Sequence, residues 1–116
     1  MRVLVTGACG NIGANLVDLL IERAHAVRAL DLDTPKNRAT AERWNGQVEM
    51  YFGSICDDAL VAEAVIGMDH VVHLAAMVPP GTDVDQAAGY AVNVVAIRST
   101  IAACEAQSTP PRLTFT

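Results

Sequence analysis

Short, mostly apolar runs alternate along the chain with segments in which apolar residues recur every three or four positions. The apolar runs have the length and the β-branched content of strands, and the first is apolar enough to be buried on both faces of a sheet. These runs are RVLVT (2–6), HAVRALDL (25–32), QVEMYFG (47–53), DHVVHLAA (69–76) and LTFT (113–116). The sequence therefore predicts five strands.

Helices are predicted between these strands from the 3.6-residue spacing of apolar positions and from capping and terminating residues. Asp57 or Asp58 is suited to cap the third helix, and Gly67 to end it. Pro79-Pro80-Gly81 predicts a loop, because that tripeptide continues neither a helix nor a strand. The predicted helices cover residues 12–21, a short polar stretch within 34–44, the ALVAEAVI segment before Gly67, and residues 85–106.

The regular alternation of strands and helices is typical of a parallel sheet covered by helices on both faces. We therefore predict an α/β, Rossmann-like doubly wound parallel sheet with strand order 3-2-1-4-5. A single dinucleotide-binding domain is expected over residues 1–116, cut off at strand five, without the later strands and substrate region. Strand five would then lie at an open edge, so we expect self-association as a homo-oligomer or poor solubility.

Composition narrows the function classes. The chain has 116 residues, 52% of them hydrophobic, and a net charge of −5 without a basic run. Such a chain is a poor candidate for binding nucleic acid or a membrane surface. The N-terminus lacks a signal-peptide pattern, and the three cysteines are far apart, so a cytoplasmic location is expected. The three histidines share no metal-ligand spacing, so no metal site is expected.

Three glycines recur at intervals of three between the first strand and the first helix. Gly7 lies where the chain must turn, and Gly13 where helix and strand must pack closely. Gly10 lies where a side chain would keep phosphates away from the backbone amides at the start of the helix. The pattern therefore favours a diphosphate-binding loop, although a tight strand–helix turn without a ligand would use the same glycines.

Asp31 stands at the end of the second strand, 24 residues after Gly7. A carboxylate there accepts hydrogen bonds from both hydroxyls of an adenosine ribose and repels a 2′-phosphate. The cofactor expected is therefore NAD, with NADP disfavoured. Asp33 is a second candidate for the ribose or else a solvated loop acid. Arg38 would suit a 2′-phosphate, but Asp31 argues against that role.

The segment TGACGNIG (6–13) has the G-x-x-G-x-x-G spacing and resembles the extended short-chain dehydrogenase/reductase superfamily, specifically its NAD-dependent epimerase/dehydratase family. Further stretches in matching order extend the resemblance over essentially all 116 residues. They are Asp31, GSICD (53–57), HVVHLAA (70–76) and YAVNVVAIRSTIAAC (90–104).

The resemblance implies roles in cofactor binding for several groups of residues. Asn93 occupies the position of a helix asparagine that supports the active site, and Ser54-Ile55 replaces a pair that often contains an adenine-contacting aspartate. The implied cofactor-binding residues are Gly7, Gly10, Asn11, Ile12 and Gly13 for the pyrophosphate, Asp31 and Asp33 for the ribose, Ser54 and Ile55 for adenine, Leu74, Ala75 and Ala76 toward the nicotinamide, and Asn93.

The family's catalytic Tyr-x-x-x-Lys pair is absent, because Lys36 is the only lysine and precedes both Tyr51 and Tyr90. No catalytic residue is therefore assigned, and the 116-residue chain is not expected to be active alone. It resembles the cofactor-binding front part of an enzyme that moves a hydride to and from a nicotinamide. The substrate would be a nucleotide sugar or another hydroxyl or carbonyl compound. A non-catalytic dinucleotide-binding sensor, or a structural α/β domain, remains an alternative.

Cys9 lies inside the glycine-rich loop, at the start of a helix. A helix N-terminus lowers the pKa of a thiol, so a reactive cysteine is one interpretation. A passive small residue is the interpretation that we favour for this position.

Overall fold

The computed structural model describes residues 1–116. Twelve segments of regular structure follow one another along the chain. They are β1 (Arg2–Thr6), α1 (Asn11–Glu22), β2 (Ala26–Asp31), α2 (Pro35–Glu42), β3 (Val48–Phe52), α3 (Asp58–Ala64), β4 (His70–His73), α4 (Gly81–Val84), α5 (Gln86–Tyr90), a π-helical turn (Ala91–Val95), α6 (Ala96–Glu105) and β5 (Arg112–Phe115).

The five strands form one parallel sheet in the order β3-β2-β1-β4-β5. This confirms the predicted fold class and strand order. Val5, in the central strand β1, is paired with Ala29 of β2 and with Val72 of β4. Because all strands run in the same direction, their carboxyl ends meet at one edge of the sheet, which is where ligands bind in such folds.

The core has two apolar layers, one on each face of the sheet. One layer packs α1 and the end of α2 onto the sheet and includes Val17 and Trp44. The other lies beneath α3 and α6 and includes Val61 and Cys104. Strand β1 supplies side chains to both layers, since Val5 belongs to the first and Leu4 to the second.

Helix α1 buries Gly13, Ala14 and Val17 against the sheet. Ile12, one of the apolar positions that predicted this helix, is instead 73% exposed. Gly13 and Ala14 of the same turn face the sheet, so Ile12 lies on the solvent side of the helix.

Two regions differ from the sequence prediction. The predicted loop after β4 contains a four-residue helix, α4. A segment this short cannot show the repeated apolar spacing from which a helix is predicted. The predicted long helix is interrupted by a π-helical turn between α5 and α6. The run Gln86–Glu105 is long and apolar enough to cross a membrane by length and composition alone. Here its α6 part buries Ala96 and Cys104 instead, next to α3.

Arg28 is a buried, charged residue in β2, and the apolar pattern of the second strand did not indicate that it would be buried. Its Nε donates to the Glu49 carboxylate at 3.0 Å, and its guanidinium donates to the carbonyls of Ala64 and Ile66 at 2.8 and 3.0 Å. A buried guanidinium is tolerated when each of its donors has a partner. Arg28 therefore links β2 and β3 to the end of α3.

Candidate cofactor site

A cavity of about 360 Å³ opens at the carboxyl ends of four strands. The turn after β1, the end of β2, the start of α2, the turns after β3 and β4, and the π-helical turn all line it. The lining residues are Gly7, Cys9, Gly10, Leu30, Asp31, Leu32, Lys36, Asn37, Gly53, Ser54, Ile55, Leu74, Ala75, Ala76, Met77 and Val92.

The turn between β1 and α1 is closed by contacts that only glycine allows. Gly7 has φ +68°, and an added Cβ would lie 2.8 Å from the Ala75 backbone nitrogen. An added Cβ on Gly13 would lie 2.2 Å from the Gly7 carbonyl oxygen. Gly10 is different, because its nearest neighbour would be 3.5 Å away, and it faces the cavity. Two glycines therefore hold the turn together, and the third leaves space for a ligand.

The N-terminus of α1 is uncapped. Gly10 provides no side-chain acceptor, and the first turn contains no acidic residue. The backbone N–H groups of Asn11, Ile12 and Gly13 have no hydrogen-bond partner in the chain. Unpaired amides and the positive end of the helix dipole together attract an anion. The helix start can therefore hold a phosphate next to Gly10.

Asp31 lies at the cavity wall, half-buried, and both of its carboxylate oxygens are held by backbone donors. Oδ2 accepts from the Cys9 N–H and Oδ1 from the Leu32 N–H, each at 2.8 Å. Each oxygen keeps a further lone pair, so the carboxylate is oriented and still able to accept from a ligand hydroxyl. Asp31 thus connects the glycine-rich turn to the end of β2.

Asp33 lies outside the cavity. Arg38 donates to both of its carboxylate oxygens, at 2.6 and 3.0 Å. This ion pair lowers the pKa of Asp33 and is solvent-exposed on both sides. The Arg38 guanidinium also covers the Phe52 ring at 4.5 Å. The structure therefore pairs Asp33 with the arginine that would suit a 2′-phosphate, outside the cavity that Asp31 lines.

The two ends of the cavity are lined by the turns after β3 and β4. Ser54 and Ile55 form one end, and the Ser54 hydroxyl accepts from the Cys56 N–H at 3.0 Å. Asp57 is not part of the wall, because it caps α3 by accepting from the Leu60 N–H. The other end is formed by Leu74, Ala75 and Ala76.

The model of the 3-beta hydroxysteroid dehydrogenase/isomerase family matches residues 4–116. The chain belongs to this family. The match begins within β1, continues through all the later elements, and confirms the resemblance to the extended short-chain dehydrogenase/reductases.

Individual relatives agree with this assignment. A 3 beta-hydroxysteroid dehydrogenase/Delta 5-->4-isomerase of Mycobacterium tuberculosis is 39% identical over 98 residues, which are 80% of this chain and 25% of the relative. UDP-glucose 4-epimerase of Thermus thermophilus, solved with NAD, has a TM-score of 0.78 and 30% identity, over 90% of this chain and 33% of that one. The Bordetella bronchiseptica enzyme WbmH, solved with NAD+, has a TM-score of 0.76 and 29% identity, over 90% and 35%. The chain thus spans about a quarter to a third of their lengths.

Asn93, the helix asparagine implied by the family resemblance, contacts backbone and does not line the cavity. It lies in the π-helical turn, and its Oδ1 accepts from the Met77 N–H at 2.8 Å. Its Nδ2 donates to the Met77 carbonyl oxygen, also at 2.8 Å. The amide therefore forms two hydrogen bonds with one residue of the segment after β4, and it holds the Met77 side of the cavity in place.

Several cavity residues were not predicted from the sequence. Lys36 and Asn37 lie in the first turn of α2, which the sequence showed only as a polar stretch. The signal available was their closeness in sequence to Asp31. Met77 and Val92 lie at the cavity because Asn93, next to Val92, forms hydrogen bonds with the Met77 backbone. No local sequence pattern predicts this contact. The remaining ones, Cys9, Leu30, Leu32 and Gly53, are neighbours of predicted positions.

Cys9 is buried under the turn, and its thiol donates to the Asn37 carbonyl. Burial, with the nearby Asp31 carboxylate, raises the pKa of the Cys9 thiol from 9.0 to about 11. Desolvation thus outweighs the helix N-terminus, and the passive interpretation of Cys9 is the one that the geometry supports.

Alkylation should distinguish the three thiols. We expect iodoacetamide at pH 8 to modify exposed Cys56 first, since Cys9 and Cys104 are buried. A pKa about two units above the ordinary value leaves Cys9 with roughly a hundredfold less thiolate. Peptide mass spectrometry over time measures this, with the urea-unfolded chain as a control in which all three thiols react. Labelling of Cys9 as fast as Cys56 would contradict the expectation.

Proposed function

We propose that this chain is the NAD-binding portion of an NAD-dependent oxidoreductase that acts on a hydroxyl or carbonyl substrate. One observation carries the proposal: the unpaired amides of α1 and the oriented Asp31 carboxylate are linked through a single turn beside one cavity. A dinucleotide requires a diphosphate site and a ribose site at this spacing. The NAD-bound structures of the relatives named above support the same cofactor.

The residues fit the cofactor in chemical type. The N–H groups of Asn11, Ile12 and Gly13 would donate to the diphosphate, which Gly10 allows to approach. Asp31 would accept from the adenosine ribose hydroxyls and repel a 2′-phosphate, so NAD is preferred over NADP. Ser54 and Ile55 form the end of the cavity that suits adenine.

The nicotinamide would lie at the other end of the cavity, where it supplies hydride chemistry. Leu74, Ala75 and Ala76 present backbone and unreactive aliphatic side chains there, so this wall would orient the ring without reacting. Asn93 keeps the segment after Ala76 in position through Met77. These residues of the chain contribute binding and orientation, and no proton-transferring residue is assigned among them.

For the substrate we favour an apolar hydroxyl compound, such as a hydroxysteroid, over a nucleotide sugar. The segment after the nicotinamide end exposes two apolar side chains, Val78 by 68% and Val84 by 86%. Between Arg43 and Arg98 the sequence contains no lysine or arginine that would bind a nucleotide's phosphates on this side. The family to which the chain belongs and its mycobacterial relative support the same class.

Calorimetric titration of the 116-residue chain with NAD and with NADP tests the cofactor. We expect saturable binding of NAD and affinity for NADP weaker by about tenfold or more, equivalent to about 1.4 kcal/mol. A folded chain that binds neither would overturn the proposal and favour a structural domain, and tighter binding of NADP would overturn the role of Asp31. For the substrate, NMR with NAD present should show a 3β-hydroxysteroid, and not UDP-glucose, shifting the methyl signals of Met77 and Val84.

A further inference from the structure

Two buried polar side chains meet at the ends of the central strands, next to the cavity. Thr6 is the last residue of β1 and is fully buried, and His73 is the last residue of β4 and is 5% exposed. They are direct partners in the β1–β4 register. The Thr6 Oγ1 lies 3.0 Å from the His73 Nδ1. Neither side chain lines the cavity, and neither has a role in the cofactor binding described above.

The Thr6 hydroxyl oxygen also receives two backbone donors from the turn after β4. The N–H groups of Leu74 and Ala75 both lie 3.2 Å from it. The Leu74 N–H is shared with the Thr6 carbonyl oxygen at 3.1 Å, whereas Ala75 has the hydroxyl as its acceptor. These two residues form the cavity wall, and Gly7 packs against the same backbone. The position of the wall therefore depends on the hydroxyl.

The number of donors around the hydroxyl decides where its proton lies. A threonine hydroxyl has one proton to donate and two lone pairs to accept with. The Ala75 N–H and the shared Leu74 N–H both approach these lone pairs, so the hydroxyl proton is directed to the His73 Nδ1. If Nδ1 carried a proton instead, three donors would surround one oxygen and the hydroxyl proton would have no acceptor. This count of donors favours the His73 tautomer that is protonated at Nε2.

We propose that His73 is a positioning residue, which orients the Thr6 hydroxyl through Nδ1 so that the hydroxyl holds the Leu74–Ala75 wall of the cofactor cavity. The effect on cofactor affinity rests on the function proposed above, whereas the tautomer and the contact with Ala75 do not. Burial lowers the pKa of His73, and no charged group contributes to this shift, so the ring stays neutral and Nδ1 remains an acceptor at neutral pH.

The tautomer can be measured directly in the chain without a ligand. In two-bond ¹H–¹⁵N correlation spectra at pH 7, His73 should show a protonated Nε2 and an unprotonated Nδ1. Thr6→Val, which removes the hydroxyl, should abolish this preference, whereas Thr6→Ser should retain it. A protonated Nδ1 in the unmodified chain would overturn the proposal.

A matched pair of substitutions tests the positioning role. His73→Asn keeps an acceptor, because Oδ1 of asparagine is bonded to Cγ as Nδ1 of histidine is, and His73→Leu removes it. We expect His73→Leu to weaken NAD binding about tenfold and to speed hydrogen exchange of the Ala75 amide, and His73→Asn to restore most of both. His70→Leu is the control on the same strand, since His70 contacts Thr114 of β5 instead, and it should leave both measurements unchanged.

The outcomes separate this proposal from the proposed function. Equal NAD affinity and equal Ala75 exchange in His73→Leu and the unmodified chain would overturn the positioning role. Failure of His73→Asn to restore the exchange would overturn it as well. If the unmodified chain binds no NAD, the proposed function fails, and the tautomer and Ala75 exchange still decide whether His73 holds the wall. If His73→Leu does not fold, the comparison of Thr6→Val with Thr6→Ser decides it.

Discussion

Asp31→Asn is expected to weaken NAD binding by about ten- to a hundredfold. The substitution removes the charge that would accept from the ribose hydroxyls, and hydrogen bonds to a charged group are worth roughly 1.5–3 kcal/mol. It also places an NH2 group opposite one of the two backbone donors, those of Cys9 and Leu32, that now orient the carboxylate. Because repulsion of a 2′-phosphate disappears with the charge, the preference for NAD over NADP should shrink. Calorimetric titration with both cofactors measures the two effects.

Asp33→Asn is the matched control, since it removes the same charge two residues away. Asp33 pairs with Arg38 outside the cavity, so NAD affinity should change by less than about twofold. An equal loss of affinity in the two variants would mean that Asp33 shares the ribose site, as the family resemblance implied. Unchanged NAD affinity in Asp31→Asn would contradict the assignment of the ribose site.

Gly13→Ala is expected to lower the free energy of unfolding by about 3 kcal/mol or to prevent folding. The new Cβ would lie 2.2 Å from the Gly7 carbonyl oxygen and 2.8 Å from the Ala8 Cα, and both are backbone atoms that cannot rotate away. Relief requires α1 to move away from β1, which opens the core layer around Val17. Urea denaturation followed by circular dichroism measures the loss, and an unfolded variant is the extreme of the same result.

Gly10→Ala is the comparison that separates folding from binding. Its backbone has φ −74°, and the added Cβ would meet only the Gly7 carbonyl oxygen, at an ordinary 3.5 Å. Stability should therefore fall by less than about 1 kcal/mol, whereas NAD affinity should drop because the methyl group occupies the approach of the diphosphate. Stability lost equally in both variants, or NAD bound normally by Gly10→Ala, would contradict the division of roles among the glycines.

Most of the fold is readable from short-range pattern. Each strand lies within a short run rich in apolar residues, and Gly7, Asp57 and Gly67 mark turns that the backbone makes where expected. Alternating strands and helices permit few windings, so the strand order also follows from the pattern. The structure differs from the predicted elements where a segment is too short, or too uniformly apolar, for the spacing of its residues to indicate the type of helix. The four residues of α4 and the π-helical turn within an apolar helix are both of this kind.

The residues of the candidate site also divide into those that a short-range pattern predicts and those that it does not. The residues predicted to bind cofactor that do line the cavity lie at the carboxyl ends of strands or in the turns directly after them, and the topology brings these positions together. Asp33 was predicted from closeness in sequence, but its side chain turns to Arg38. Asn93 was predicted from resemblance, and only the structure shows that it acts on Met77. Lys36 and Val92 enter the cavity from a helix and a π-helical turn whose placement depends on packing.

The amino-acid sequence by itself determined the parallel sheet, the glycine-rich turn and the acid at position 31, because these depend on periodicity and on backbone conformations that few residues allow. The tertiary structure alone decided which donors and acceptors meet across 60 or more residues, as Thr6 and His73 do. Hydrogen bonds between distant residues depend on strand register and on the number of available lone pairs. Neither property is visible in a linear pattern, because both arise only when separate strands lie side by side.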